Sequence, residues 1–177
     1  SRDEITGQLT FVESHVKNHP GMRGVQDVDV SPNGEFVYLG SITDQAVVVF
    51  SRDVSSGALT FIESVNTPAP GYGGAQNITS LDITDDGLHM YSSGAGRITQ
   101  WSVDAITGSV VPVAGIQDGS LFPTSDRVRL TPDGKHLYMS DINGDAVLGF
   151  ERDTTTGALT YIQTFDHGVD GAKLDSV

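Results

Sequence analysis

The sequence predicts an all-β fold, a β-propeller built from four-stranded antiparallel blades of about 50 residues. Two observations carry this. The first is an internal repeat: Ser1-Arg2-Asp3 returns as Ser51-Arg52-Asp53, Ser102-Val103-Asp104 and Glu151-Arg152-Asp153, at steps of 50, 51 and 49 residues. Each copy leads to a turn glycine (Gly7, Gly57, Gly108, Gly157), and three of them continue Leu-Thr-aromatic, at Leu9-Thr10-Phe11, Leu59-Thr60-Phe61 and Leu159-Thr160-Tyr161. The second is periodicity. Apolar residues alternate with a period of two, and no stripe at helical spacing occurs.

The elements of a unit follow in order. Val28 and Val30 alternate with Asp27 and Asp29, and Leu81 and Ile83 with Ser80 and Asp82, which predicts a first strand, A. Ser31-Pro32-Asn33-Gly34, Thr84-Asp85-Asp86-Gly87 and Thr131-Pro132-Asp133-Gly134 predict a tight turn, since Pro presets φ and Gly supplies positive φ. Strand B follows and carries Tyr38, Tyr91 or Tyr138 four residues after the turn glycine. A short polar loop leads to strand C, Ala46–Phe50, whose run of apolar residues predicts burial on both faces. Another turn, Asp53 to Gly57, leads to strand D at Leu59–Ile62. Stacking of neighbouring units then buries faces that one unit cannot bury alone. The expected core is Val28, Val30, Val37, Val47, Val49, Leu81, Ile83, Val128, Leu130, Leu137 and Val147, with the closing aromatics Phe50, Trp101 and Phe150. The chain reads as one partial propeller over residues 1–177, with units starting near 1, 51, 102 and 151 and the last incomplete.

Val37-Tyr38-Leu39-Gly40 and Leu137-Tyr138-Met139-Ser140, each preceded by a Pro-Asn/Asp-Gly turn, resemble the YVTN-type blades of surface-layer proteins and of the 6-phosphogluconolactonase-like, seven-bladed lactonase superfamily. The Ser/Glu-Arg-Asp to Thr-Gly-Ala-Leu-Thr segment at 151–160 is similar to that group as well. The resemblance implies about half of a seven-bladed ring, because the chain carries about 3.5 repeats. It implies a fold that enzymes and non-enzymes share, and no catalytic signature of the lactonases matches residue by residue. Two expectations follow for partners. Either further blades of the same ring complete the structure, or two copies close one seven-bladed propeller as a homodimer, since an open blade edge invites pairing.

Composition narrows the partners. Ten Lys and Arg against 23 Asp and Glu give a net charge of −13, which disfavours nucleic acid. No stretch is long and apolar enough for a transmembrane helix. No cysteine is present, so disulfides and thiolate metal sites are excluded. No basic-then-apolar leader follows Ser1, so no signal peptide is expected. The balance of features leans to an extracellular, periplasmic or cell-surface setting.

The D–A and B–C loops vary most and share one rim, which is where a ligand site is expected. Three D–A loops read Gly-x-x-Gly, and their middle residues Arg23, Tyr72 and Asp170 differ as ligand-reading residues would, although backbone geometry alone accounts for the glycines. Asp29, Asp82 and Arg129 fall at matching positions on the inner strands, as a mixed ring that either holds a small anion or satisfies itself by ion pairing. In an enzyme, Arg129 would stabilise an oxyanion and a carboxylate would act as base. Asp141, Asn143 and Asp145 alternate as in the start of a calcium loop, but Ala146 and Arg152 stand where that loop needs Gly and Glu. His15 and His19 are not expected to share a face, because no helix is predicted, and His89 and His136 read as strand-surface residues. No other metal or cofactor site is expected. The turn-dominated motifs favour a non-catalytic repeat module that binds a protein or ligand or serves as scaffold. The alternative is a lactonase-like hydrolase or isomerase acting on a sugar acid or related small anion.

Overall fold

The computed structural model describes residues 2–15, 19–66, 77–118, 124 and 126–166. Their regular structure is all β: twelve strands in three four-stranded antiparallel sheets, each a simple meander. Blade 1 comprises β1 (Val25–Val30), β2 (Phe36–Ser41), β3 (Ala46–Arg52) and β4 (Leu59–Val65). Blade 2 comprises β5 (Ser80–Ile83), β6 (His89–Gly94), β7 (Arg97–Val103) and β8 (Val110–Gln117). Blade 3 comprises β9 (Arg127–Leu130), β10 (His136–Asp141), β11 (Ala146–Arg152) and β12 (Leu159–Asp166). Residues 2–15 hold no named strand; a bridge between Arg2 and Leu9 closes their turn.

The repeated motifs are turn chemistry. Asp53 Oδ1 accepts the N–H groups of Ser55 and Ser56 at 2.9 and 2.7 Å. Asp3, Asp104 and Asp153 do the same in their own turns. These backbone donors hold all four carboxyls below the usual carboxylate range. The A–B turns close at Gly34, Gly87 and Gly134, with φ of 72°, 69° and 66°.

The core lies between blades. One cluster joins Phe36, Tyr38, Val47 and Val49 of blade 1 to Ile78, Leu81, Met90, Trp101 and Val103 of blade 2. A second joins Tyr91 and Ile98 of blade 2 to Val128, Leu137, Leu148 and Phe150 of blade 3. Strand β3 is buried on both faces through Phe50, as its composition requires. Gly40 is needed at the first junction, since a Cβ there would stand 2.5 Å from Ile78.

Two expected core residues are exposed. Val28 is 58% and Val30 44% exposed, whereas Leu81 and Val128, the counterparts of Val28, are fully buried. The strand alternates as expected, but its valines face away from blade 2, and no blade covers them among the described residues. Tyr138 shows the same effect at the other end: it is 44% exposed while Tyr38 and Tyr91 are fully buried. Ile83, Leu130 and Val147 are half-buried.

The two junctions differ in chemistry. At the second, the buried Arg152 donates to the Tyr91 hydroxyl at 2.8 Å, to Gly134 O at 2.9 Å and to His89 Nδ1 at 2.9 Å. Tyr91 in turn donates to Gly157 O at 2.6 Å. At the first, Val103 takes the place of Arg152 in the repeat, and the buried Tyr38 hydroxyl has no hydrogen-bond partner among the described residues. Burial, followed by the charges of Asp104 and Glu63, pushes Tyr38 up to about 12. Tyr38→Phe is therefore expected to be neutral or stabilising by about 1 kcal/mol, because it removes an unpaired buried hydroxyl. Equilibrium urea unfolding measures this, and a loss above about 1 kcal/mol would contradict it.

Candidate functional site

The inner strands β1, β5 and β9 bring Asp27, Asp29, Asp82 and Arg129 together. Side-chain carboxylates bridge blade to blade here. Asp27 Oδ2 accepts the Leu81 N–H and Asp29 Oδ2 the Ile83 N–H, both at 2.9 Å. Asp82 Oδ2 accepts the Leu130 N–H one blade further on. Their other oxygens differ: Asp27 and Asp29 each accept the next N–H of their own strand, from Val28 and Val30. Asp82 Oδ1 instead stands 3.6 Å from Arg129 Nη1. Burial pushes both Asp29 and Asp82 above the usual carboxylate range, and the backbone N–H groups they accept, followed by the Arg129 charge, only partly offset it.

Arg129 Nη1 donates to Leu81 O at 3.0 Å and to Val128 O at 3.2 Å, which lays the side chain back over β5. The side chain is nonetheless 60% exposed. The arrangement thus offers an anchored guanidinium beside a carboxylate of raised proton affinity. The first can bind an anion or an oxyanion, and the second can hold a proton. Arg127, two residues earlier on the same strand face, is also exposed.

Arg23 lies elsewhere, on the rim. Its backbone N–H donates to Asp44 Oδ2 at 3.0 Å, and its Nε and Nη2 both lie 2.6 Å from Asp44 Oδ1. The pair ties the D–A loop to the B–C loop, and it holds the Asp44 carboxyl below the usual range. Gly21 and Gly24 have φ of 82° and 71°, and a Cβ would meet Ser64 at 2.2 Å and Thr43 at 2.3 Å respectively. Backbone geometry therefore accounts for these glycines. An open cleft of about 930 Å³ runs past His19, Arg23, Thr43, Asp44, Ser64 and Asn66. Tyr72 and Asp170 lie outside the described residues.

Asp141 is buried as a loop brace. Its Oδ1 accepts from Thr124 Oγ1, Asn143 N and Gly144 N at 2.5, 3.2 and 3.0 Å, much as Ser41 Oγ accepts Asp44 N–H in blade 1. Asn143 and Asp145 are exposed. Among the described residues, no three His, Cys, Asp or Glu side chains converge on a possible ion.

The histidines depart from expectation. His15 and His19 do meet, with Nδ1 of the first 3.4 Å from Nε2 of the second. Their rings settle on Phe50 and Phe61. His89 is a junction residue held by Arg152, not a bare strand surface. The Arg152–Tyr91 contact had a signal in the sequence: Arg recurs in the Ser/Glu-Arg-Asp motif and Tyr in every B strand.

The family model for a seven-bladed β-propeller lactonase matches residues 2–171. Among solved structures, the chain is similar to a candidate 6-phosphogluconolactonase from Bacteroides fragilis, at 24% identity and a TM-score of 0.71, covering 85% of this chain and 41% of that one. It is similar to the periplasmic gluconolactonase of Pseudomonas aeruginosa, at 20% identity and a TM-score of 0.72, covering 85% and 42%. A protein from Lactobacillus plantarum superposes with a TM-score of 0.75 at 21% identity, covering 89% and 46%. The chain thus spans less than half the length of these structures. None of the curated proteins matches the sequence.

Proposed function

Because the chain belongs to the seven-bladed β-propeller lactonase family, we propose that it forms part of a lactonase-like propeller that hydrolyses a sugar lactone to its hydroxy acid. The observation that carries this reading is Arg129, anchored on two backbone carbonyls yet exposed beside Asp82 at the inner strands. In the proposed reaction Asp82 takes a proton from water, and the resulting hydroxide attacks the lactone carbonyl carbon. Arg129 stabilises the tetrahedral oxyanion. The ring C–O bond then breaks, and the departing alkoxide takes up the proton. The raised proton affinity of Asp82 suits this role, since a base works best with its pKa drawn toward the operating pH. The names of the Bacteroides and Pseudomonas structures support lactone chemistry over a non-catalytic scaffold.

The test is hydrolysis of gluconolactone followed by acid release in a pH-stat. Arg129→Ala is expected to keep its β circular dichroism and to lose about 100-fold or more in kcat, the scale of one oxyanion donor. Hydrolysis that survives the substitution unchanged would remove Arg129 from the reaction. No hydrolysis by the folded wild-type chain would favour the non-catalytic binding module instead.

A further inference from the structure

We infer that His15 and His19 form a binding site for one divalent transition-metal ion, Zn²⁺ being the natural choice for two imidazoles with no thiolate available. The inference is independent of the lactonase reading and rests on other residues.

The nitrogens His15 Nδ1 and His19 Nε2 stand 3.4 Å apart. That is long for a hydrogen bond between nitrogens. It is, however, the separation of two ligands on one tetrahedral ion, about 3.4 Å for bonds of about 2.0–2.1 Å.

Both rings are also held in place. His19 stacks face to face on Phe61, with centroids 4.7 Å apart and planes 6° from parallel, and meets Phe50 edge-on. His15 meets Phe50 edge-on as well, at 5.2 Å. Fixed rings reduce the ordering cost of chelation.

The other nitrogen of His15 carries the third observation. Its Nε2 is buried, makes no hydrogen bond of good geometry among the described residues, and stands 3.3 Å from Glu13 Oε1, an ion-pair distance. A metal-bound imidazole characteristically points its second N–H at a carboxylate. Metal on Nδ1 would fix the proton on Nε2 and give Glu13 an N–H to accept. Glu13 is itself pinned, because it accepts the Leu59 N–H. The remaining coordination positions fall to water, and His19 borders the open rim cleft that admits it.

Isothermal titration of ZnCl₂ into the 177-residue chain tests this. One Zn²⁺ per chain is expected with micromolar affinity. His15→Ala and His19→Ala should each abolish it, and Glu13→Gln should weaken it about tenfold. Binding that persists in both histidine variants, or no binding at millimolar zinc, overturns the site. Should a variant unfold, imidazole ¹⁵N shifts of the wild-type chain decide. Zinc must move His15 Nδ1 and His19 Nε2, and shifts confined to His89, His136 or His167 refute the assignment.

Discussion

Trp101→Ala is expected to destabilise the chain by about 3–5 kcal/mol, the range for truncating a large buried aromatic. Trp101 is fully buried in the middle of β7, in the cluster that joins blade 1 to blade 2. Its loss opens a cavity that residues on two separate sheets would have to collapse together to fill. The indole also donates from Nε1 to Ser92 Oγ at 2.9 Å, and Ser92 is itself buried. The alanine variant leaves that hydroxyl unpaired and adds a polar cost to the cavity. Trp101→Phe should recover more than half of the loss, because Phe50 and Phe150 hold the same place in the other two blades. Urea unfolding followed by circular dichroism measures both variants. A loss below about 1 kcal/mol for the alanine would mean that the blades do not share a core.

Arg152→Ala is expected to cost about 3 kcal/mol or more, since one buried cation gives up three hydrogen bonds. Tyr91, Gly134 O and His89 Nδ1 all lose a donor at once. Arg52 supplies the internal control. It occupies the same place in the repeat and makes the same bond to the turn, Nη1 to Gly34 O at 3.0 Å. No tyrosine of a preceding blade meets it among the described residues. Arg52→Ala should therefore cost about 1 kcal/mol or less. Equal losses at the two positions would show that the turn bond, not the junction, carries the energy.

The fold was legible because its signals are local. Turn tetrads, Asp-to-Gly turns and period-two strands each lie within a few residues, and the repeat multiplied them. The fate of Val28 and Val30 was not local. Alternation separates the two faces of β1, but which face is covered depends on a neighbouring blade, and here the covered face is the one bearing Asp27 and Asp29. The candidate site was legible only as a set of positions. Asp29, Asp82 and Arg129 do share the inner strands, yet their bonds run across separations of 54 and 48 residues, to backbone groups that no motif marks. The approach of His15 to His19 was hidden for the same reason: their placement is set by Phe50 and Phe61, far along the chain.

The unlike junctions make acid a selective solvent for this chain. Burial, and then the Arg152 charge, hold His89 below its ordinary value of 6.5, so the folded state prefers the neutral ring. That preference contributes fully above 6.5 and is lost as the pH falls from there toward the depressed folded value. Protonation also fills the lone pair that receives the Arg152 N–H and sets two cations side by side. Among the described residues the first junction holds no such histidine–arginine pair, because Val103 stands where Arg152 does, and its bridging carboxylates Asp27 and Asp29 have a counterpart at the second junction in Asp82. Mild acid should therefore part the molecule along one seam, freeing the third sheet while the first two remain clasped. Conditions chosen only to keep the whole chain soluble would then also decide how many of its sheets act as one cooperative body.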